Sequence, residues 1–153
     1  MKYCHTITLS VFIKPEDSNI FPDILDKTKS AIKELFDWEK EKIELNETIA
    51  EGFEERKIHI YEIKLLKEKD TNIFIKNLLS KLSIEQKEFL KYDKEYRLDE
   101  NDDFFIRLDK RKLLEGEYVI THSGDCFHIK MNIASFPKNR ENSLKVIDEI
   151  LKI

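Results

Sequence analysis

The chain has 153 residues, enough for one domain with its own hydrophobic core and too few for two ordinary domains, so we expect a single domain over residues 1–153. Its two cysteines exclude a disulfide framework and a four-thiolate zinc site. No apolar run reaches ~18 residues and no secretory leader is recognisable, which predicts a soluble, cytoplasmic protein. Abundant charge with a single glutamine is typical of thermophile proteins.

The net charge of −4 is unevenly distributed along the chain. Residues 15–55 carry a net charge of −8, whereas residues 104–140 carry +3. Attraction of a polyanion is decided within a Debye length, about 10 Å at 0.1 M salt. An acidic protein can therefore still present a local basic patch.

The first half of the chain predicts a strand, a helix and two further strands. Residues 1–14 alternate apolar and polar side chains, as a half-buried strand does. Residues 23–36 place apolar side chains at helical spacing. Residues 42–49 and 58–66 again alternate, and we expect a hairpin between them and a bulge near Ile60.

The second half adds the remaining helices. Residues 70–93 predict two helices separated by a capping box of Ser83 and Gln86, and a polar connection follows. Asp109 is suited to cap a short helix after a strand that begins at Phe104, and Gly116 to end it.

The end of the chain predicts a strand at 118–121, a turn at 122–125 with Gly124 at positive φ, and a strand that begins at Cys126. Two prolines, Pro22 and Pro137, are expected at helix starts. Together the elements predict an α+β fold: a single-layer antiparallel or mixed sheet with helices chiefly on one face.

Catalytic and metal-binding patterns are weak. Cys4 and His5 point to opposite faces of a strand, and no CxxC or HExxH spacing supports zinc. Adjacent carboxylates such as Asp102 and Asp103 diverge on a strand, and the three glycines are far apart, so no Gly-rich phosphate loop exists. We therefore expect no enzyme activity, no cofactor and no metal.

A set of cationic side chains lies close in sequence to aromatic ones. The predicted RNA-contacting residues are Arg107, Lys110, Arg111, Lys130, Lys138 and Arg140. Phe105 and His128 are the predicted base-stacking residues. Cations interleaved with aromatic rings are what RNA binding requires, although clustered lysine is more often an ordinary solvated surface.

The motifs FFIRLDKRKLLEGEY and SGDCFHIKMNIASFPKNRE, with the opening strand ending VFIKPED, resemble the archaeal exosome-associated RNA-binding proteins. The shared pattern is a strand ending Arg-Leu-Asp-Lys at residues 107–110, Gly-Glu at 116–117, Gly-Asp at 124–125, and a Pro-Lys-x-Arg-Glu segment at 137–141. Residues 70–103 match poorly.

The resemblance implies a fold similar to large-subunit ribosomal protein five, sometimes likened to a double-stranded-RNA-binding domain. It also implies RNA as the partner, with exosome subunits as further partners. The alternative is a protein-interaction or homodimerisation domain that uses an open sheet face or an edge strand, with about 800 Å² buried per side.

Overall fold

The structure, a computed structural model, describes residues 1–36, 44–122 and 124–153. These residues form an antiparallel sheet of five strands in the order β2-β3-β1-β5-β4. The strands are β1 (Cys4–Ile13), β2 (Asn46–Glu51), β3 (Lys57–Leu65), β4 (Asp103–Asp109) and β5 (Cys126–Ile133). The helices are α1 (Ile24–Leu35), α2 (Glu68–Lys81), α3 (Ile84–Tyr92), α4 (Lys94–Arg97), α5 (Lys110–Leu114) and α6 (Arg140–Leu151), with short 3-10 helices at Pro15–Asn19 and Phe53–Glu55.

The central strand β1 divides the sheet into two different faces. Its apolar residues Ile7, Leu9 and Val11 are at most 1% exposed and pack with the helices in the core. Alternate residues of β1, such as Thr8 and Ser10, are only half-buried on the opposite face. The predicted α+β fold, with one sheet covered by helices on one side, is confirmed.

The predicted helix cap at Asp109 and the predicted glycine conformations are confirmed. The Asp109 carboxylate accepts a hydrogen bond from the Lys112 backbone N–H at 2.9 Å and caps α5. Gly116 ends that segment at a φ of 91°, and Gly124 adopts 87° in the turn before β5. These are left-handed conformations that glycine adopts without a steric cost.

Both prolines lie before the observed helix starts and not at them as was predicted. Helix α1 begins at Ile24, after Asp23, so Pro22 lies outside the helix. Helix α6 begins at Arg140, three residues after Pro137. Its N-cap is Asn139, whose side chain accepts a hydrogen bond from the Asn142 N–H at 2.8 Å. An amide cap therefore decides this start rather than the fixed φ of proline.

Three strand predictions also need correction. Strand β3 pairs without a register shift on both sides, so the predicted bulge near Ile60 is wrong; Ile60 instead lies beside Phe12 on the half-exposed face. Strand β2 runs from Asn46 to Glu51, and residues 42–43 of the predicted strand lie outside the described residues. The predicted strand at 118–121 is a single bridge between Ile120 and Leu108.

The predicted capping box at the start of α3 forms only in part. Ser83 does accept a hydrogen bond from the Gln86 N–H, as an N-cap should. The Gln86 side chain turns away, however, and its oxygen accepts from the Ile120 N–H at 3.0 Å. A tertiary contact to the segment beside β4 thus replaces the local one.

Candidate nucleic-acid interface

The sheet face opposite the helices is open, and its side chains are set by the pairing register. Ser10 of β1 lies opposite His128 of β5, which lies opposite Arg107 of β4. In the next row, Lys130 lies between Thr8 and Phe105. Because opposed residues on one face have Cβ atoms only about 5 Å apart, these side chains form one continuous surface.

Four residues at the centre of this surface, Phe105, Arg107, His128 and Lys130, are in mutual contact or directly adjacent. We call them the sheet-face cluster. The Phe105 and His128 rings have centroids 5.2 Å apart at an interplanar angle of 39°. The Arg107 guanidinium lies 5.7 Å from the Phe105 ring centroid. All four residues are half-buried, so each is ordered by its neighbours and still reaches solvent.

The cluster is electrostatically positive. Burial, and then the charges of Arg107 and Lys130, lower the pKa of His128 below its ordinary value of 6.5, so the imidazole is mainly neutral at pH 7. In the part of the chain that the structure describes, neither Arg107 nor Lys130 forms an ion pair. Two cations without anionic partners flanking two rings are suited to a phosphate backbone and an unstacked base.

Further side chains extend this surface towards β3. Thr6, Thr8 and Ser10 border the cluster along β1, where hydroxyls could bond phosphate or ribose. Lys64 of β3 lies opposite Thr8 on the same face. Acidic residues on this face include Glu62 of β3, which lies opposite Ser10, and Asp103 and Asp109 at the two ends of β4.

Lys110, one of the predicted RNA contacts, is buried and is unavailable for phosphate. Its side chain is 5% exposed, and its ammonium lies 2.8 Å from the Asp17 carboxylate and 3.0 Å from the Phe12 carbonyl. The backbone N–H of Lys110 also donates to the Asp125 carbonyl at 3.1 Å. This lysine fastens the start of α5 to the ends of β1 and β5.

The other three predicted cations lie outside the cluster. Arg111 projects from α5, beyond the end of β4, and pairs with Glu115 at 3.4 Å. Lys138 and Arg140 follow β5 and so lie at the opposite end of the sheet. Arg140 donates to the backbone carbonyls of Leu98 and Glu95, at 3.0 and 2.7 Å. The structure therefore brings Arg107 and Lys130 together and separates the remaining four.

A cavity opens beside the cluster, where β1 and β5 diverge. Its volume is about 320 Å³. The residues lining it are Ser10, Val11, Phe12, Gly124, Asp125, Cys126 and His128. Phe12 is 55% exposed, which is unusual for a phenylalanine at a regular strand position. The cavity is thus an extension of the open face towards the turn before β5.

Sequence reasoning missed Phe12 and Lys64 as members of this surface. The signal for Phe12 was present, because it is the one aromatic in the polar row of β1 that contains Thr8 and Ser10. Lys64 gave no comparable signal, since its neighbours are also charged and only the pairing of β3 with β1 places it on this face.

Among residues 1–36, 44–122 and 124–153, no three His, Cys, Asp or Glu side chains converge so as to hold a metal ion. No helix within those ranges combines the length and apolar composition needed to cross a bilayer. Cys4 lies in the core and burial raises its pKa to about 12, whereas Cys126 lies on the open face.

Comparison with known proteins agrees with this geometry. A family model described as RNA binding matches residues 7–133. The chain is 26% identical over 150 residues to the RNA-binding protein PAB1135 of Pyrococcus abyssi, covering 97% of this chain and 94% of that protein.

Solved structures share the fold over nearly the whole chain. A DUF54 protein from Archaeglobus fulgidus superposes with a TM-score of 0.78 at 27% identity, covering 96% of this chain and 99% of that one. A DUF54 protein from Methanothermobacter thermautotrophicus gives a TM-score of 0.72 at 23% identity, covering 97% and 98% of the two chains. The family match covers well over half of the sequence, and the chain therefore belongs to this archaeal RNA-binding family.

Proposed function

We propose that this protein is a non-catalytic RNA-binding module whose contact surface is the sheet-face cluster of Phe105, Arg107, His128 and Lys130. Arg107 and Lys130 contact phosphates, while the Phe105 and His128 rings stack on a base. The residues of β1 that border the cluster, Thr6, Thr8 and Ser10, add polar contacts to the backbone. Arg111, Lys138 and Arg140 lie beyond the two ends of the sheet and are not needed for this contact.

The observation that carries this proposal is the placement of two unpaired cations around two contacting rings on an open face. Other cations on the surface have a structural partner, as Lys14 has in Asp125 and Lys94 has in Asp148. Arg107 and Lys130 have no such partner within the described ranges. Their charge is therefore left for a ligand, and the adjacent aromatic rings favour a nucleic acid over a simple anion.

The direct test replaces both cations, as Arg107→Gln with Lys130→Gln. A matched control replaces two exposed lysines on the helix side, as Lys76→Gln with Lys91→Gln, so that both variants have the same net charge. RNA affinity should fall at least about tenfold for the first pair only. The slope of log K against log salt for a single strand should become shallower by about 1.4, because each lost phosphate contact removes about 0.7. Equal losses in both pairs would attribute binding to net charge and contradict the proposal.

A second candidate function, homodimerisation, is favoured by the exposed edge of β2. Among the described residues this strand pairs with β3 alone, and Ile49 in it is 54% exposed. The opposite edge, β4, is covered by Thr121, whose N–H donates to the Arg107 carbonyl, and by the Arg97 side chain. Glu47 and Glu51 oppose self-pairing of β2, as charges on edge strands do. Light scattering at two salt concentrations tests whether the protein dimerises through β2. Such a dimer should persist at high salt, and the Ile49→Lys variant should be monomeric.

We also propose exosome subunits as protein partners, because the sequence resembles archaeal exosome-associated proteins. We expect this protein to co-sediment with an assembled archaeal exosome even after ribonuclease treatment. Loss of co-sedimentation after ribonuclease treatment would show that RNA, rather than a protein contact, joins the two.

A further inference from the structure

The cavity beside the sheet-face cluster exists because two strands separate. The β1–β5 pairing ends at Ser10 opposite His128, although β1 continues to Ile13 and remains paired with β3. Strand β5 begins only at Cys126, after the turn at Gly124. The space between Phe12 on one side and Cys126 and His128 on the other is therefore open to solvent and continuous with the RNA-binding face.

The walls of this cavity are held by two ion pairs, Lys110 with Asp17 in a buried position and Lys14 with Asp125 at the surface. The Lys110 ammonium binds the Phe12 carbonyl, which the ladder to β5 leaves free, and also binds Asp17. The Lys14 ammonium donates to the Asp125 carboxylate at 2.5 Å. These contacts tie β1, the 3-10 helix after it and the turn before β5 into one unit, so the cavity is preformed. A preformed site loses less conformational entropy on binding.

The lining favours a base over a phosphate. The Lys14 and Lys110 ammonium groups beside the cavity are already paired with Asp125 and Asp17 and are not left for a phosphate, whereas Arg107 and Lys130 attract one at the neighbouring rows. Phe12 and His128 offer ring faces, and Ser10 offers a hydroxyl. The volume of about 320 Å³ lies at the low end of the roughly 300–1,000 Å³ of small-ligand sites, which suits one base and not a dinucleotide.

We propose that this cavity receives one unpaired base, and that the protein consequently binds single-stranded RNA in preference to duplex RNA. The inference rests on the proposed RNA-binding function and deepens it. In a duplex the base faces are stacked and only groove edges are accessible, so no base can enter between Phe12 and His128. Phe12 and Phe105 differ by two strand spacings and four residues, roughly 17 Å from the usual sheet dimensions, with His128 on the strand between them. A base against Phe12 and a base against Phe105 can therefore belong to separate nucleotides.

The first experiment compares one ten-nucleotide RNA with its own duplex, at a fixed salt concentration, on wild-type protein and two variants. Phe12→Ala removes the exposed ring of the cavity. Phe53→Ala is the control, since Phe53 is 86% exposed in the connection between β2 and β3 and does not line the cavity. The single strand should bind at least about tenfold more tightly than the duplex. Phe12→Ala should lower the affinity for the single strand about tenfold, which is the effect expected from losing one base–aromatic stack. The slope of log K against log salt should not change, because no phosphate contact is lost. Phe53→Ala should match the wild type.

The second experiment uses Cys126 as a reporter of the cavity. Cys4 is fully buried and its pKa is raised to about 12, so an alkylating reagent reacts with Cys126 and not with Cys4 in the native protein. The single-stranded oligonucleotide should slow Cys126 alkylation several-fold. The duplex, added at a concentration that saturates the protein, should not. Cys126→Ser provides the blank.

These results separate the cavity from the general function. Suppose that binding depends on salt and is lost in Arg107→Gln/Lys130→Gln, but that the duplex binds as tightly as the single strand and Cys126 is not protected. These results would overturn the base cavity and leave the proposed RNA binding intact. Equal loss of affinity in Phe12→Ala and Phe53→Ala would also overturn it. No binding of either RNA by the wild type would overturn both proposals.

Discussion

At the scale of single residues, Lys110 and Arg111 are neighbours in sequence with opposite environments. Both were predicted as phosphate contacts from their charge and position after a strand. Lys110 points into the protein against Asp17, whereas the Arg111 side chain is 66% exposed. A one-residue step along α5 turns the side chain by about 100°, and only the packing of α5 decides which of the two is buried.

Removing the buried lysine charge should destabilise the fold. Lys110→Met leaves the Asp17 carboxylate without its ammonium partner in a buried site, although the Lys14 backbone N–H still donates to it at 2.8 Å. We expect a loss of about 3 kcal/mol in the free energy of unfolding, the lower end for a broken buried pair. Urea denaturation measures it. Arg111→Ala, as the control, should change stability by less than about 0.5 kcal/mol, and equal effects would contradict the buried pair.

His128 should make stability depend on pH in the acidic range. Burial and the charges of Arg107 and Lys130 lower its pKa in the folded protein, so below its ordinary value of 6.5 the unfolded chain binds more protons. Stability therefore declines as pH falls below 6.5, and His128→Gln should remove part of this decline. Denaturation midpoints across that range test it, with the exposed His5→Gln as the control. A pH profile of His128→Gln parallel to wild type would contradict the shift.

At the scale of elements, the start of α6 is set by a side-chain cap and not by the proline that precedes it. Helix α6 begins after Asn139, and Ser143 of its first turns is buried and donates to Asp102 at 3.0 Å. The start of this helix therefore fixes the end of β5 relative to the loop before β4. Pro137 lies in the connection, where it cannot cap the helix.

The Asn139 cap can be tested by a pair of substitutions. Asn139→Ala removes the acceptor for the Asn142 N–H and should cost about 1 kcal/mol, or roughly 2–4 °C in Tm for a chain of this size. Asn139→Asp keeps an acceptor and should retain most of the stability. Thermal unfolding of both variants is the measurement. An equal loss in the two would show that another contact of Asn139 matters more.

At the scale of the whole molecule, distance separates the acidic and basic surfaces. Glu51, Glu54 and Glu55 lie at and after the end of β2, three strand spacings or about 14 Å from β5. The Debye length is about 8 Å at physiological salt and about 30 Å at 0.01 M. An overall negative charge is therefore compatible with RNA binding at physiological salt, because the acidic edge is screened from the cluster.

Neutralising that acidic edge should affect RNA affinity only at low salt. The triple substitution Glu51→Gln, Glu54→Gln and Glu55→Gln should strengthen binding several-fold at 0.01 M salt and change it less than about twofold at 0.15 M. Fluorescence anisotropy with one labelled RNA at both concentrations tests this. A similar gain at both salts would mean that the RNA passes close to β2, which the proposed site does not allow.

The sequence by itself determined most of the elements and the character of the two sheet faces, because alternation and helical spacing are local consequences of side-chain geometry. It also placed Phe105 with Arg107 on one face of a strand and His128 with Lys130 on one face of another, since alternation restricts each set to one face. Only the tertiary structure decided the strand order that brings Thr8, Ser10 and Phe12 next to those residues. Only packing buried Lys110 and moved Arg111, Lys138 and Arg140 to the sheet ends, because burial depends on contacts distant in sequence.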